Sequence, residues 1–361
     1  MRVLFDGLAL RHGGGAAILL RLVEGFRAAG HEAVVIGASP ERAAELKAAG
    51  AGVVLRADLG SARAAMLFRL RGFEAERRRI APDLVFSFNA WTPAEGRQAT
   101  LHVNVIPYLP FAERRRSVGL ARAALWTRGA KRALRRSDLN MFESAHLMDL
   151  AAATGTPIRN GRVAYTGIDL PPPLDPPPAV EPRMVTVTSA APYKRNDLTV
   201  ALHRELASEA GALGLLIGGS GRGEALRAAL PEPERAWIDA RDDVRFLGYR
   251  TREELYADLA GSLCLVCFSE LESFYMVPVE AMRVGTPVVI ARHSSAAESV
   301  GDAALMVEPG DVSGAAEAVR SLMDPMVRAA WSERALAWAR RFDADRCMAA
   351  IVAEVEAMLH G

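Results

Sequence analysis

The chain has 361 residues, 50% of them hydrophobic and 24% charged, which is enough to bury a core in each of two globular domains. Its net charge of +1 hides a split: residues 1–170 carry 25 Lys and Arg against 15 Asp and Glu, whereas the remainder carries 19 against 28. No apolar run approaches the ~20 residues that span a bilayer, and the amino terminus, broken by Asp6 and Arg11, lacks the signal-peptide pattern, so a cytoplasmic location is expected.

The first predicted strand runs from Arg2 to Phe5 and hands over to a helix through His12-Gly13-Gly14-Gly15. Such bare backbone serves an esterase oxyanion hole, cradles a phosphate, or makes a tight turn. From Ala16 to Ala29 the apolar residues Leu19, Leu22, Val23 and Phe26 recur at helical spacing, with Gly30 as the stop. "HEAVVIG" and "PDLVFSF" read as strands, and "LHVNVIPYLPF" carries His102 and Asn104. A lone histidine on an apolar strand is either a packed core residue or a polar group that reaches the ligand.

Basic charge concentrates in "FAERRRSVGLARAALWTRGAKRALRR". Between Ser117 and Arg136 the spacing of Leu120, Leu125, Trp126 and Leu134 predicts a helix that buries part of one side and turns its arginines outward. Such a helix is either a solvated surface or, over residues 114–136, a face for an anionic membrane. A basic first half calls for an anionic partner, but interleaved aromatics for base stacking are missing, so no nucleic acid is expected.

Prolines crowd "LPPPLDPPPAVEP", which reads as a stiff linker over 171–183. Beyond it strands and helices alternate again: "MVTVT", a helix from Leu198, "LGLLIGG", a helix from Arg222, "VRFLGY", a helix from Arg252, "LCLVCFS", a helix near Glu280, then "TPVVIA". The alternation predicts an α/β chain with two parallel-sheet, Rossmann-like domains, 1–170 and 184–342, facing an interdomain cleft where ligands bind beyond the strands' carboxyl ends. A last helix, 343–361, is expected to pack back toward the first domain. Cys264, Cys267 and Cys347 fit neither a disulfide framework nor a zinc site. Asp343 and Asp345 read as a helix cap, and no metal is expected.

In "CFSELESFYMVPVEAMRVGTPVVIA" seven residues separate Glu272 from Glu280. Pro278 suits the first turn of a helix, which puts Glu280 in that turn and Glu272 in the loop after a strand. This segment resembles the E-x7-E motif of retaining glycosyltransferases of the GT-B fold, family four. In the same order the chain offers the glycine run with "GHEAVVI", then "YTGID", "PYKRNDL", "IGGSGRGEAL", "VRFLGY" and "SVGDAALMVEPGD". The resemblance covers most of the chain and is stronger from 184 to 311.

The resemblance implies a hexosyltransferase that moves sugar from a nucleotide diphosphate donor to an envelope polysaccharide or lipid-linked glycan at the inner face of the cytoplasmic membrane. It implies no cofactor and no metal, and no protein nucleophile is required because attack comes from the leaving-group face. The second domain would bind the donor and the first the acceptor. Lys194 matches the diphosphate lysine, with Arg195 beside it. Glu272 matches the carboxylate on the sugar, aided by backbone amides of Ser273, Phe274 and Tyr275. Glu280 matches the acceptor of the ribose hydroxyls, and Gly248 and Tyr249 match the nucleobase-reading position. His102 is the candidate polar group from the first domain.

Two departures stand out. Ser189 or Ala190 lies where an arginine is common, and Tyr275 replaces a usual glycine, where a side chain would narrow the sugar pocket. "PYKRNDL" with "VPVEA" resembles O-antigen mannosyltransferases and favours GDP-mannose over a UDP-hexose. Two alternatives are a donor-binding but inactive subunit and a nucleotide-sugar epimerase. The esterase reading fails because "GGSGRG" puts Arg222 where a nucleophile elbow needs glycine. Gly14 and Gly15 are then expected to wall the ligand cleft with helix-start amides.

Overall fold

The computed structural model describes residues 1–9, 13–37, 40–54, 62–169, 171, 178–207, 213–219 and 223–360. It divides into two units: Met1–Gly167 with the last helix, Ala344–His360, and Ile168–Asp343. Arg11 and His12, most of the linker prolines and Ser220 to Arg222 lie outside the described residues.

The first unit is built on seven parallel strands: β1 Arg2–Asp6, β2 Glu32–Ile36, β3 Gly52–Val54, β4 Leu84–Phe88, β5 Arg97–His102, β6 Leu139–Phe142 and β7 Gly161–Val163. Their spatial order is β3-β2-β1-β4-β5-β6-β7. Helices cover both faces, so the central strands read as continuous apolar runs rather than alternating ones. On one face Val3, Phe5, Phe86 and Phe88 pack against Leu19, Leu22, Val23 and Phe26 of the helix Gly13–Ala28. Cys347, Met348, Ile351 and Val355 of the last helix join the same core. Gly25 permits that approach, since a Cβ there would lie 2.9 Å from the Met348 Cβ. Leu4, Val34, Phe68 and Phe73 form the core of the other face.

Two local expectations change. The helix after β1 starts at Gly13 rather than Ala16, so Gly14 and Gly15 belong to its first turn. First-turn amides have no intrahelical acceptor, and the glycines supply the turn without a separate loop. The basic helix Leu120–Arg136 buries a narrow stripe of Ala123, Ala130, Ala133 and Leu134, while Leu120 and Leu125 are 57% and 50% exposed. Small residues let this helix lie close to its neighbours, and that rotates the two leucines outward among the arginines.

In the second unit the strands are β8 Glu181–Thr188, β9 Gly214–Gly219, β10 Val244–Gly248, β11 Ser262–Cys267, β12 Val288–Ala291 and β13 Leu305–Val307, all parallel, in the order β10-β9-β8-β11-β12-β13. Strand β8 takes in Glu181, Pro182 and Arg183, which composition assigns to the linker. Pairing with β11 jumps from Glu181 to Met184, so Pro182, which has no N–H, falls where the ladder is already interrupted. Gly219 is required at the end of β9: its φ is 155°, and a Cβ would stand 2.1 Å from the Thr188 carbonyl oxygen. Cys264 and Cys267 are buried in β11, and burial pushes both thiols up to about 12. Asp343 is paired with Arg283 at 3.1 Å.

Candidate active site

The order of the second sheet reverses direction between β8 and β11. Beyond the carboxyl ends of two such strands the loops diverge and leave a crevice for ligands. The loop after β8 carries Lys194, and the loop after β11 carries Glu272. Their side chains meet there, with Lys194 Nζ donating to Glu272 Oε1 at 2.6 Å. The two side chains are only 17% and 16% exposed, so the pair is partly shielded from water.

Local sequence fixes both loops. After β8 a single 3-10 turn, Pro192–Lys194, opens with a proline whose missing N–H is not needed. Arg195 then takes the left-handed conformation, φ 49°, and the chain enters the helix Asn196–Ala207. Asn196 braces the bend: its Oδ1 accepts from Thr188 Oγ1 and its Nδ2 donates to the Ser189 carbonyl, both at 2.7 Å. The second loop is tied to the first by the Glu270 amide, which donates to the Tyr193 carbonyl at 2.8 Å. From the loop after β12, Ser294 Oγ donates to the Glu270 carbonyl at 2.8 Å and Ser295 Oγ to the Glu272 carbonyl at 3.5 Å.

The Lys194 ammonium also lies 5.7 Å from the ring centroid of Tyr193 and 5.5 Å from that of Tyr275, within cation–π range. Tyr275 does not project into open space. It is 5% exposed, burial raises its phenol pKa, and its hydroxyl is in hydrogen-bonding contact with the Cys267 thiol. The aromatic that stands in place of glycine therefore supports Lys194 from below, because the loop turns its side chain toward the end of β11. Phe274 is also buried, against Phe342 at 5.1 Å between ring centroids, so its side chain belongs to the core. Ser273 and Glu280 are half-buried. Glu280 is the fifth residue of the helix Met276–Arg283, one turn later than the sequence suggests, because the helix starts two residues before Pro278.

The other candidates are distributed differently. Arg195 donates to Asp197 at 2.9 Å and also to Glu270, and these carboxylates raise its pKa. Its charge is thus already balanced within the protein. Gly248, φ 67°, and Tyr249, 82% exposed, end β10, the edge strand two places from β8. Gly14 and Gly15 belong to the first unit.

His102, also in the first unit, is not an accessible group. It is fully buried: Nε2 is 3.0 Å from Asn140 Oδ1, Nδ1 is 2.6 Å from the Tyr108 hydroxyl, and the ring stacks on Phe142. Burial pulls its pKa down to about 4. Sequence reading passes over Glu270, Ser294, Ser295 and Asn196, whose partners are set only by which loops share the crevice.

Two family models match the chain: "Glycosyltransferase Family 4" over residues 12–171 and "Glycosyl transferases group 1" over 181–325. A curated relative, O-antigen chain mannosyltransferase B of Escherichia coli, is 37% identical over 29% of this chain and 28% of its own length. The chain thus spans under a third of the curated relatives it matches. Over whole chains the fold is similar to that of Anabaena HepE in complex with UDP and glucose, with TM-score 0.75, 18% identity and 99% of each chain covered. It is equally similar to sucrose-phosphate synthase from Thermosynechococcus elongatus, with TM-score 0.77, 17% identity and coverage of 99% of this chain and 98% of that one. Matched in both halves and alike in fold throughout, the chain belongs to the group 1, family 4 glycosyltransferases and has their GT-B fold.

Proposed function

We propose that the protein transfers a hexose from a nucleotide diphosphate sugar to an envelope polysaccharide or lipid-linked glycan, with retention at the anomeric carbon. The observation that carries this reading is the Lys194–Glu272 pair at the switch point of the second sheet. As the bond from the anomeric carbon to the diphosphate oxygen breaks, its electrons stay on the diphosphate, and Lys194 offsets the growing charge. Glu272 accepts hydrogen bonds from the sugar hydroxyls, with amides of Ser273, Phe274 and Tyr275 around it. The acceptor hydroxyl bonds to the same face of the anomeric carbon and gives its proton to the departing phosphate. Glu280 takes both ribose hydroxyls, and Gly248 and Tyr249 meet the base.

GDP-mannose is favoured by the likeness to the mannosyltransferase, and a UDP-hexose by the likeness to the UDP complex. Calorimetric titration with GDP, UDP and ADP decides the base, and absence of binding by all three would refute the reading. A second reading, a donor-binding subunit that does not transfer, is favoured by the charge of Arg195, beside Lys194, being held by Asp197 and Glu270. Nucleotide binding without transfer or donor hydrolysis would establish it.

We further propose that the protein works at the inner face of the cytoplasmic membrane. Exposed Phe111, Leu120 and Leu125 among arginines support a contact with anionic lipid through residues 114–136. Co-sedimentation with phosphatidylglycerol vesicles, lost in Leu120→Ser with Leu125→Ser, tests it.

A further inference from the structure

The first sheet reverses direction between β1 and β4, which makes a second crevice of the same kind in the first unit. The loop after β4 begins at Asn89, whose left-handed backbone, φ 59°, is tolerated by asparagine. The loop is held from three sides. Thr92 Oγ1 donates to the buried Asp6 at 2.7 Å, Gln98 Nε2 donates to the Thr92 carbonyl at 2.9 Å, and the Trp91 amide donates to the Gly129 carbonyl at 3.3 Å. Gly129 makes this last approach feasible, since a Cβ there would meet the Ala90 Cβ at 3.0 Å. Trp91 is thereby fixed beneath the helix Leu120–Arg136.

Two guanidinium groups lie over that one indole, Arg132 at 4.0 Å and Arg136 at 5.5 Å from the ring centroid. Arg128 stands one turn earlier on the same face, and successive members of this i, i+4, i+8 row are about 6 Å apart along the axis. The helix contains no Asp or Glu, and among the described residues none of the three arginines has a carboxylate partner. The three arginines are exposed, whereas the protein pairs arginines that are set more deeply: Arg69 with Asp6, Arg77 with Glu74 and the buried Arg283 with Asp343. Desolvation lowers the Arg132 pKa, and Arg136 and Arg128 lower it further. Three like charges in one row, two of them over a rigid aromatic platform, are opposed by mutual repulsion, and a bound anion removes that opposition.

We propose that Arg132 and Arg136, carried over Trp91, and Arg128 one turn earlier form a phosphate-binding site that takes a phosphate or diphosphate ester on the acceptor. The chemistry is that of a multiply charged oxyanion: planar guanidinium groups donate paired hydrogen bonds to its oxygens, and the indole holds two of them in place. The assignment to the acceptor rests on the glycosyl-transfer reading, whereas the anion site itself does not.

The test uses the whole protein labelled with 15N-tryptophan. The sequence has five tryptophans, so the Trp91 indole signal is assigned by its loss in Trp91→Phe. Inorganic pyrophosphate should move that signal saturably. Arg132→Gln with Arg136→Gln should weaken the response by about tenfold or more, as expected for losing two charge-assisted contacts. Arg132→Lys with Arg136→Lys should retain part of it. A Trp91 signal that ignores pyrophosphate, or that titrates unchanged in the glutamine variant, overturns the proposal. Binding to phosphatidylglycerol vesicles with no response to pyrophosphate also overturns it, since the face is then a bilayer contact. Titrating the same samples with GDP, UDP and ADP separates failure of this site from failure of the donor reading.

Discussion

Lys194 Nζ and Glu272 Oε1 meet at 2.6 Å although their residues are 78 positions apart in the chain. Each group neutralises the other, so a nucleotide that takes only the lysine leaves the carboxylate without its partner. On the proposed reading, an intact nucleotide sugar satisfies both. Glu272→Gln should therefore bind the free nucleoside diphosphate several-fold more tightly while losing about a hundredfold or more in turnover. Lys194→Ala should lose turnover on the same scale without the gain in nucleotide affinity. Calorimetry for binding and initial rates for transfer check both; equal nucleotide affinity in wild type and Glu272→Gln would show that the pair does not compete with the diphosphate.

His102 sets a pH dependence of stability. Its folded pKa, pulled down to about 4, lies below the ~6.5 of an exposed histidine, so the unfolded chain binds a proton more readily. The resulting stabilisation is complete above about pH 6.5 and is lost as the pH falls toward 4. His102→Gln should flatten this part of the profile. It should also cost about 1–3 kcal/mol at neutral pH through the partners left at Asn140 and Tyr108. Denaturant melts from pH 4 to 8 give the measurement, and an unchanged slope in the variant would contradict it.

Tyr275 separates pocket shape from support. Tyr275→Phe keeps the ring near Lys194 and removes the hydroxyl's contacts with Cys267 and Ser269, a loss of about 1 kcal/mol. Tyr275→Gly restores the residue usual in the family but empties a buried volume, which typically costs about 3–5 kcal/mol. Scanning calorimetry should show a small shift for the first and a large one for the second. A glycine variant as stable as wild type, with higher turnover, would favour a pocket-narrowing side chain instead.

Gly219→Ala addresses the end of β9. The added Cβ would lie 2.1 Å from the Thr188 carbonyl oxygen at φ 155°, so β8 and β9 must separate where the Lys194 loop begins. A loss of about 2 kcal/mol or more is expected, together with a fall in turnover that exceeds the effect of Tyr275→Phe. Thermal melts and initial rates on the purified variant test this; a wild-type melting temperature would rule it out.

Much of this protein is legible in its sequence because the information is local. Buried parallel strands must be apolar along their length, helices must repeat at 3.6 residues, and a run of prolines breaks both patterns, so the two α/β halves and the pause between them follow from residue order, although β8 reaches back to take in Pro182. Glu272 in a loop beyond a strand and Lys194 beyond another are likewise local facts. Other features depend on which segments become neighbours. The helix Leu120–Arg136 turns Leu120 and Leu125 outward because alanines, not leucines, suit its close contact. His102 is enclosed because Asn140, Tyr108 and Phe142 arrive from elsewhere in the chain. Arg195 is balanced by Glu270, 75 residues away, and Trp91 lies under Arg132 and Arg136 because Gly129 lets one loop approach one helix. The residue order determined the elements and the chemistry they carry; tertiary packing decided which charges are neutralised, which rings are buried and which arginines remain unpaired, because those outcomes depend on distances between segments far apart in the chain.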